Sequence, residues 1–227
     1  MFTPAPAITE YRAKDHGFFE ELVRLVVCLG SVGSGFELHK NGTARPFGQV
    51  DTIALVGKPD VSGLEIHVLP RPLFDRLLSP SSRQPKFLTL VKRTINPSPP
   101  DHPIFLSKIQ LMIARLVGDA FVSYYERHLE AVEASWGREF EGKWHCVWQF
   151  AWAIRNAISH DGKIRFKNPK HPSVHWRNLK YDFKDNGRPV LFNDLTGVEL
   201  ILLMEEMDAE LRRPQPENRS HPASRCS

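Results

Sequence analysis

Apolar residues return at helical spacing along one unusually long stretch, from Asp101 to about Ser135. Ile109, Met112, Leu116, Ala120, Tyr124, His128 and Val132 follow one stripe, and Ile113, Val117, Phe121, Tyr125 and Leu129 widen it. So wide an apolar band is buried against more than one partner. Asp101 is placed to cap this helix, with Pro103 tolerated in its first turn, and Trp136-Gly137 to end it. A second helix is predicted from about Gly142 to His160. Its apolar arc is Trp144, Val147, Trp148, Ala151, Trp152, Ile154 and Ile158. His145, Gln149, Asn156 and His160 take the opposite arc. A third is capped by Asp194 or Thr196 and runs to about Leu211, with Leu200, Leu203, Met204, Met207 and Leu211 inward. Glu199, Glu205, Glu206, Asp208 and Glu210 are expected on its outer side. A fourth is read over 15–30, capped by Asp15, carrying Phe18, Leu22, Leu25, Val26 and Leu29, and ended by Gly30. These helices predict a mainly α chain, a helical bundle.

The remainder reads as elaboration on that bundle. Asp51 to Val56 and Leu64 to Leu69 have the look of short strands, with Gly57 to Gly63 turning between them. Pro72 opens a short helix through Leu78, and Phe87 to Val91 is a strand or a helical turn. Asn96-Pro-Ser-Pro-Pro100 marks a break. Residues 36–100 therefore form an insertion with a small β component, structural or covering a ligand. Asp185-Asn186-Gly187 predicts a tight turn, and with it a hairpin of Lys180–Phe183 against Pro189–Phe192. The expected organisation is an N-terminal arm over 1–14, one domain over 15–213, and a polar, proline-rich, disordered tail over 214–227. Apolar residues at 41% and charged residues at 25% suit a globular domain. No apolar run approaches the roughly 20 residues of a membrane span. The start lacks a signal-peptide pattern, and the three distant cysteines, Cys28, Cys146 and Cys226, read as reduced thiols. The expected compartment is the cytoplasm, with no membrane partner.

Several chemistries are weighed and set aside. Gly30-Ser-Val-Gly-Ser-Gly-Phe36 is no phosphate loop, because Phe36 and Glu37 stand where Lys and Ser or Thr are needed. It is no dinucleotide loop either, since Leu38 replaces the third glycine, and a mobile linker is expected. His171-x-x-x-His175 has metal-like spacing, but Pro172 argues against a helix there. Cys146 beside His145 is a poor nucleophile pair, since helix neighbours point apart. No metal site and no cofactor are expected.

The chemistry concentrates instead at Arg155, Asn156 and His160. A guanidinium is permanently charged and fits phosphate oxygens, and an imidazole moves protons near neutral pH. Arg155 falls inside the apolar arc, so it must be paired or face a cleft. It also lies roughly 140° from His160 on an ideal helix. Arginine's length, a distorted last turn before Gly162, or a second subunit would be needed to bring the two together. Between Arg155 and Arg188 nine Lys or Arg against three Asp leave a local balance of +6, within a net charge of +4. Lys163, Arg165, Lys167 and Arg177 are the candidate RNA-binding cations. Phe166, Trp176, Tyr181 and Phe183 are rings for unpaired bases or, equally, core aromatics.

Arg155-Asn156-x-x-x-His160, near the end of an aromatic-rich helix and followed by Asp161-Gly162, resembles the Arg-polar-x-x-x-His motif of HEPN domains. The resemblance is carried by residues 144–162 and extends by helix order to 101–213. It implies a HEPN-like helical bundle that dimerises and sets two motifs across a shared cleft. It implies metal-independent RNA cleavage, often by toxins or phage-defence effectors, some held by an antitoxin. His160 would act on the 2′-hydroxyl or the leaving oxygen, Arg155 would stabilise charge on phosphorus, and Asn156 would orient one of them. Some relatives only bind nucleotides, RNA or protein partners, which keeps a non-catalytic module as the alternative.

Overall fold

The computed structural model describes residues 7–43, 46–48, 51–79, 85–95, 107–138 and 144–213. In chain order the elements are β1 (Ala7–Arg12), α1 (Phe19–Asn41), β2 (Ile53–Val56), β3 (Leu64–Val68), α2 (Pro70–Leu77) and β4 (Phe87–Thr94). Then come α3 (Ser107–Trp136), α4 (Cys146–Ser159), β5 (Val174–Trp176), β6 (Leu179–Tyr181) and α5 (Gly197–Arg212). The proposed cap Asp101, the break at 96–100 and the tail 214–227 lie outside the described residues.

The expectation of a mainly α, HEPN-like bundle is overturned. The described residues form a mixed α/β fold, with five helices and a four-stranded antiparallel sheet in the order β1-β4-β3-β2. The segment read as an N-terminal arm supplies a whole edge strand, Ala7↔Lys92 through Arg12↔Phe87. Its sequence hides this because Tyr11 is the one deeply buried side chain among the described Ile8 to Arg12, so no apolar alternation shows. The neighbouring strands bury Ile66, Val68, Leu88 and Leu90 on one face. That face meets α5, with β2 also touching α1.

α5 is therefore the centre of the molecule, between the sheet and helices α3 and α4. Leu200, Ile201, Leu203, Met204 and Met207 are all buried. The acidic outer side expected for it does not exist as such. Glu199 and Asp208 are buried, and Glu205 takes the Lys92 ammonium at 2.7 Å on both oxygens as well as the Tyr11 hydroxyl. Burial lowers Lys92 to about 8 and raises Glu205 to about 8, while their two-point contact favours the charged forms. Thr196 is the cap: its side chain takes the Val198 N–H, and Glu199 returns to the Thr196 N–H at 2.8 Å.

α1 does not stop at Gly30. It continues through the three glycines to Asn41 and ends at Gly42 in the left-handed conformation, φ 70°, so the expected linker is helix. Gly30 is the contact point for α2. A Cβ there would lie 2.8 Å from the Phe74 ring. The predicted hairpin is also replaced. β5 pairs with β6 through Val174↔Tyr181 and Trp176↔Leu179, turning at Arg177 with φ 53°. The Asp185-Asn186-Gly187 turn is present, closed by Arg188 N–H to Asp185 O at 2.9 Å. It joins 186–190 to the segment after α4, not to 180–183, because Ile164 N–H donates to Arg188 O and Gly187 N–H donates to Ile164 O, each at 2.9 Å.

Candidate nucleic-acid interface

α4 is held on its inner side by Trp148, Phe150, Ala151 and Ile154, all fully buried. Phe150 stacks on Tyr181 of β6 at 5.6 Å and 18°. α3 crosses α4 closely at Gly118, where a Cβ would sit 3.0 Å from Ile158 Cγ2. These contacts fix the end of α4, which carries Arg155 and Asn156 and leads directly into His160.

Arg155 answers the question its position raised. Its Nε and Nη2 both reach Glu126 Oε1 of α3 at 2.5 Å. Nη1 donates to the neighbouring Asn156 Oδ1 at 3.1 Å. The arginine side chain is 32% exposed and Glu126 41%, so this is a surface-lining pair rather than a buried one. Tyr125, beside Glu126, is buried. Burial raises its phenol well above the ordinary tyrosine range, against the pull of the Arg155 charge.

His160 sits one step beyond the helix, with φ −131° and ψ 70°, and its side chain is exposed. Asp161 (φ 62°) and Gly162 (φ 72°) follow in left-handed conformation, and Gly162 N–H bonds back to Ala157 O at 2.8 Å. Asp161 is a residue type that tolerates this region. Among the described residues no hydrogen bond or ion pair joins Arg155 to His160, so one chain does not close the pair.

The cations sort into two groups. After the left-handed break the chain extends, with Ile164 and Phe166 buried and Lys163, Arg165 and Lys167 exposed. Alternation thus puts these three on one face, next to His160. Asn186 fixes the segment: its Oδ1 takes the Phe166 N–H at 2.6 Å and its Nδ2 donates to Phe166 O at 3.0 Å. Arg177 does not join them. It lies at the β5–β6 turn, over the Trp176 ring at 4.8 Å and paired with Glu206 at 3.0 Å. Phe166, Trp176 and Tyr181 are core residues, leaving Phe183 as the exposed ring of the four.

His171 has a different surrounding from the metal-like one its spacing suggested. It stacks on Trp152 at 5.0 Å and 8°, one helical turn before Asn156, with Phe166 at 5.2 Å. Among the described residues no three His, Cys, Asp or Glu side chains are grouped to hold a metal ion. Among the described residues Cys28 and Cys146 are half-buried thiols outside any disulfide. No helix of the described residues is long and apolar enough to cross a membrane.

Two residues at this site escaped the sequence reading. Glu126 is one of several acids on α3, and only the crossing with α4 singles it out. Asn186 has a signal, the Asn-Gly turn, but the turn gives no hint that its side chain clamps a backbone segment 20 residues away. No protein-family model, curated protein or solved structure matches this chain.

Proposed function

We propose that this chain is a metal-independent endoribonuclease of the HEPN type, a cytoplasmic toxin or phage-defence effector acting as a homodimer. The observation that carries the reading is the exposed His160 at the end of α4, beside the exposed row Lys163, Arg165 and Lys167. Arg155 and Asn156 lie one turn back. His160 takes the proton of the RNA 2′-hydroxyl. The 2′-oxygen attacks phosphorus, the 5′-oxygen leaves, and a second imidazolium returns a proton to it. Products are a 2′,3′-cyclic phosphate and a 5′-hydroxyl. Arg155 meets the extra charge on the phosphoryl oxygens. The nucleophile is internal to the substrate, so its attack is already an intramolecular step. A two-fold partner supplies the second histidine and the proximity one chain lacks. An antitoxin would cover the same cationic row.

A second reading is a non-catalytic RNA- or nucleotide-binding module, or a dimeric interaction module. It is favoured by the Arg155–Glu126 pair, which occupies one edge of the guanidinium. One experiment separates the two. Purified protein is incubated with RNA in excess chelator, alongside His160→Ala and the double variant Lys163→Ala/Arg165→Ala. The enzyme reading expects wild type to cut and His160→Ala to bind without cutting. The double variant should bind more weakly, with the salt slope reduced by about 1.4 for two lost single-strand phosphate contacts. Wild type that binds but never cuts leaves the binding module. Light scattering that shows only monomer at tens of micromolar would remove the shared cleft.

A further inference from the structure

Cys146 and His145 do not stand as two successive residues of one helix. Cys146 is the first residue of α4, and His145 before it is the cap, with φ −58° and ψ 143°. Neighbours point apart within a helix, but a capping residue has left the helical backbone. Here His145 Nδ1 lies 4.0 Å from the Cys146 sulfur. Its other ring nitrogen, Nε2, faces Glu210 Oε2 of α5 at 3.5 Å. A thiol, an imidazole and a carboxylate thus stand in line, drawn from two elements far apart in the chain.

That order is the one a nucleophile needs: a base within reach of it, and a third group to orient the base. Glu210 is itself held, since its other oxygen takes Arg213 Nη1 at 2.7 Å. With Nε2 turned to the carboxylate, Nδ1 is the nitrogen left to take the thiol proton. The hydrogen bond to the Cys146 sulfur raises the His145 imidazole above its ordinary value, against burial. The charges of that sulfur and of Glu210 add to the rise, and that of Arg213 opposes it. A second influence comes from the helix. Its aligned peptide dipoles place partial positive charge at the first turn of α4, where Cys146 stands. Both a helix N-terminus and a neighbouring imidazolium favour thiolate over thiol. Cys28 lies in the interior of α1, away from its N-terminus.

We propose that Cys146 is a nucleophilic thiol and the site at which this chain forms mixed disulfides with small aliphatic disulfides, with His145 as proton acceptor and Glu210 orienting His145. The Cys146 proton passes to His145 Nδ1. The sulfur then attacks one sulfur of the small disulfide, whose S–S bond breaks as the bond to Cys146 forms. The other half departs as a thiolate and takes the proton from His145. Cys146 is oxidised and the departing half reduced, so the small disulfide is itself the oxidant. Cys146 is half-buried, which suits a small linear partner. It begins α4, whereas His160 follows its end, roughly 20 Å along the axis, so this site is independent of the RNA-cleavage reading.

The test is the rate at which hydroxyethyl disulfide adds to Cys146 in the full chain, read by peptide mass mapping with Cys28 as internal comparison. It is run at about pH 6, where an ordinary thiol is protonated, and at about pH 9.5, where it is ionised. Cys146 is expected to react faster than Cys28 at the lower pH, and dithiothreitol to reverse the addition. His145→Gln removes the proton acceptor. A tenfold loss of thiolate at the lower pH brings about a threefold gain in intrinsic nucleophilicity, so the variant should react about threefold more slowly there. At the higher pH the difference should vanish or reverse, and Cys28 should be unchanged throughout. Glu210→Gln should act in the same direction and less. If His145→Gln fails to fold, Glu210→Gln decides. The proposal is overturned if Cys146 reacts no faster than Cys28 at the lower pH. It is also overturned if the deciding variant leaves the rate unchanged, or changes it by the same factor at both pH values, which would mean altered access rather than altered ionisation.

Discussion

Arg155 is where a structural and a chemical role compete most directly. Its pair with Glu126 is made by two partly exposed groups, at 32% and 41%. Such pairs contribute about 0–1 kcal/mol, since solvent screens the attraction and two long side chains lose freedom. A buried arginine would have cost about 3–5 kcal/mol to truncate, because its partner would be left uncompensated. Arg155→Ala is therefore expected to melt within a few degrees of wild type and to lose RNA cleavage. Arg155→Lys should rescue poorly, since lysine keeps the charge but not the planar fork that spans Glu126 and Asn156. Glu126→Gln is the sharper probe. It leaves the arginine in place and frees its charge, so RNA affinity should rise or hold if Arg155 meets phosphate. Arg155→Ala that does not fold would make the residue scaffold, and one that cuts at the wild-type rate would remove it from the mechanism.

At the scale of elements the crossing of α3 over α4 governs where the candidate site sits. Gly118 brings α3 against Ile158, with only 3.0 Å left for a Cβ. Gly118→Leu should destabilise by about 1–3 kcal/mol through overpacking. The gain of about 1 kcal/mol in helix propensity on leaving glycine does not offset it. Because Ile158 precedes His160 by half a turn, the same variant should lose more activity than stability. Equal activity in a folded Gly118→Leu protein would show that the last turn of α4 is not what positions the histidine. The helices were largely legible because α3, α4 and α5 each repeat apolar residues at the helical period over several turns. β2 and β3 were legible as short apolar runs, whereas Phe87 to Val91 left strand and helical turn open and stopped short of Thr94, where β4 ends. Their pairing was not legible, since a run of four to eight residues names no partner. α1 was cut short because glycine usually ends a helix, whereas here Gly30 makes room for Phe74. Arg155, Asn156 and His160 were legible as residue types on one helix. Glu126 was not, because a contact between helices leaves no periodic trace.

For the molecule as a whole, the question is what ties the sheet to the helices. The sequence shows each layer in part and their junction not at all, because its polar contacts are made by two α5 carboxylates, Glu199 and Glu205, that read as surface charge. Glu199 is 0% exposed at the start of α5. One oxygen takes the Lys58 N–H at 2.7 Å and the Ser62 hydroxyl, from the turn between β2 and β3. The other takes the Thr196 N–H at 2.8 Å and the Thr196 hydroxyl at 2.7 Å. Thr196 Oγ1 in turn reaches Val56 O at 2.9 Å, so the cap of the central helix and the end of a strand share one network. Truncating the carboxylate strands at least two N–H donors, each costing about 1–3 kcal/mol when left unsatisfied. Glu199→Ala is thus expected to lose about 2–6 kcal/mol, a large share of the roughly 5–15 kcal/mol that holds a domain folded. Glu199→Gln keeps two acceptor sites on one oxygen but turns the other end into a donor facing donors, so it should recover only part of the loss. Hydrogen exchange distinguishes the junction from a general effect. Protection should fall first at Lys58, at Thr196 and along β2 and β3, while α3 and α4 keep theirs. Uniform loss of protection across both layers would instead mean that α5 and the sheet unfold with the helices as one unit, and that Glu199 stabilises the whole rather than the seam.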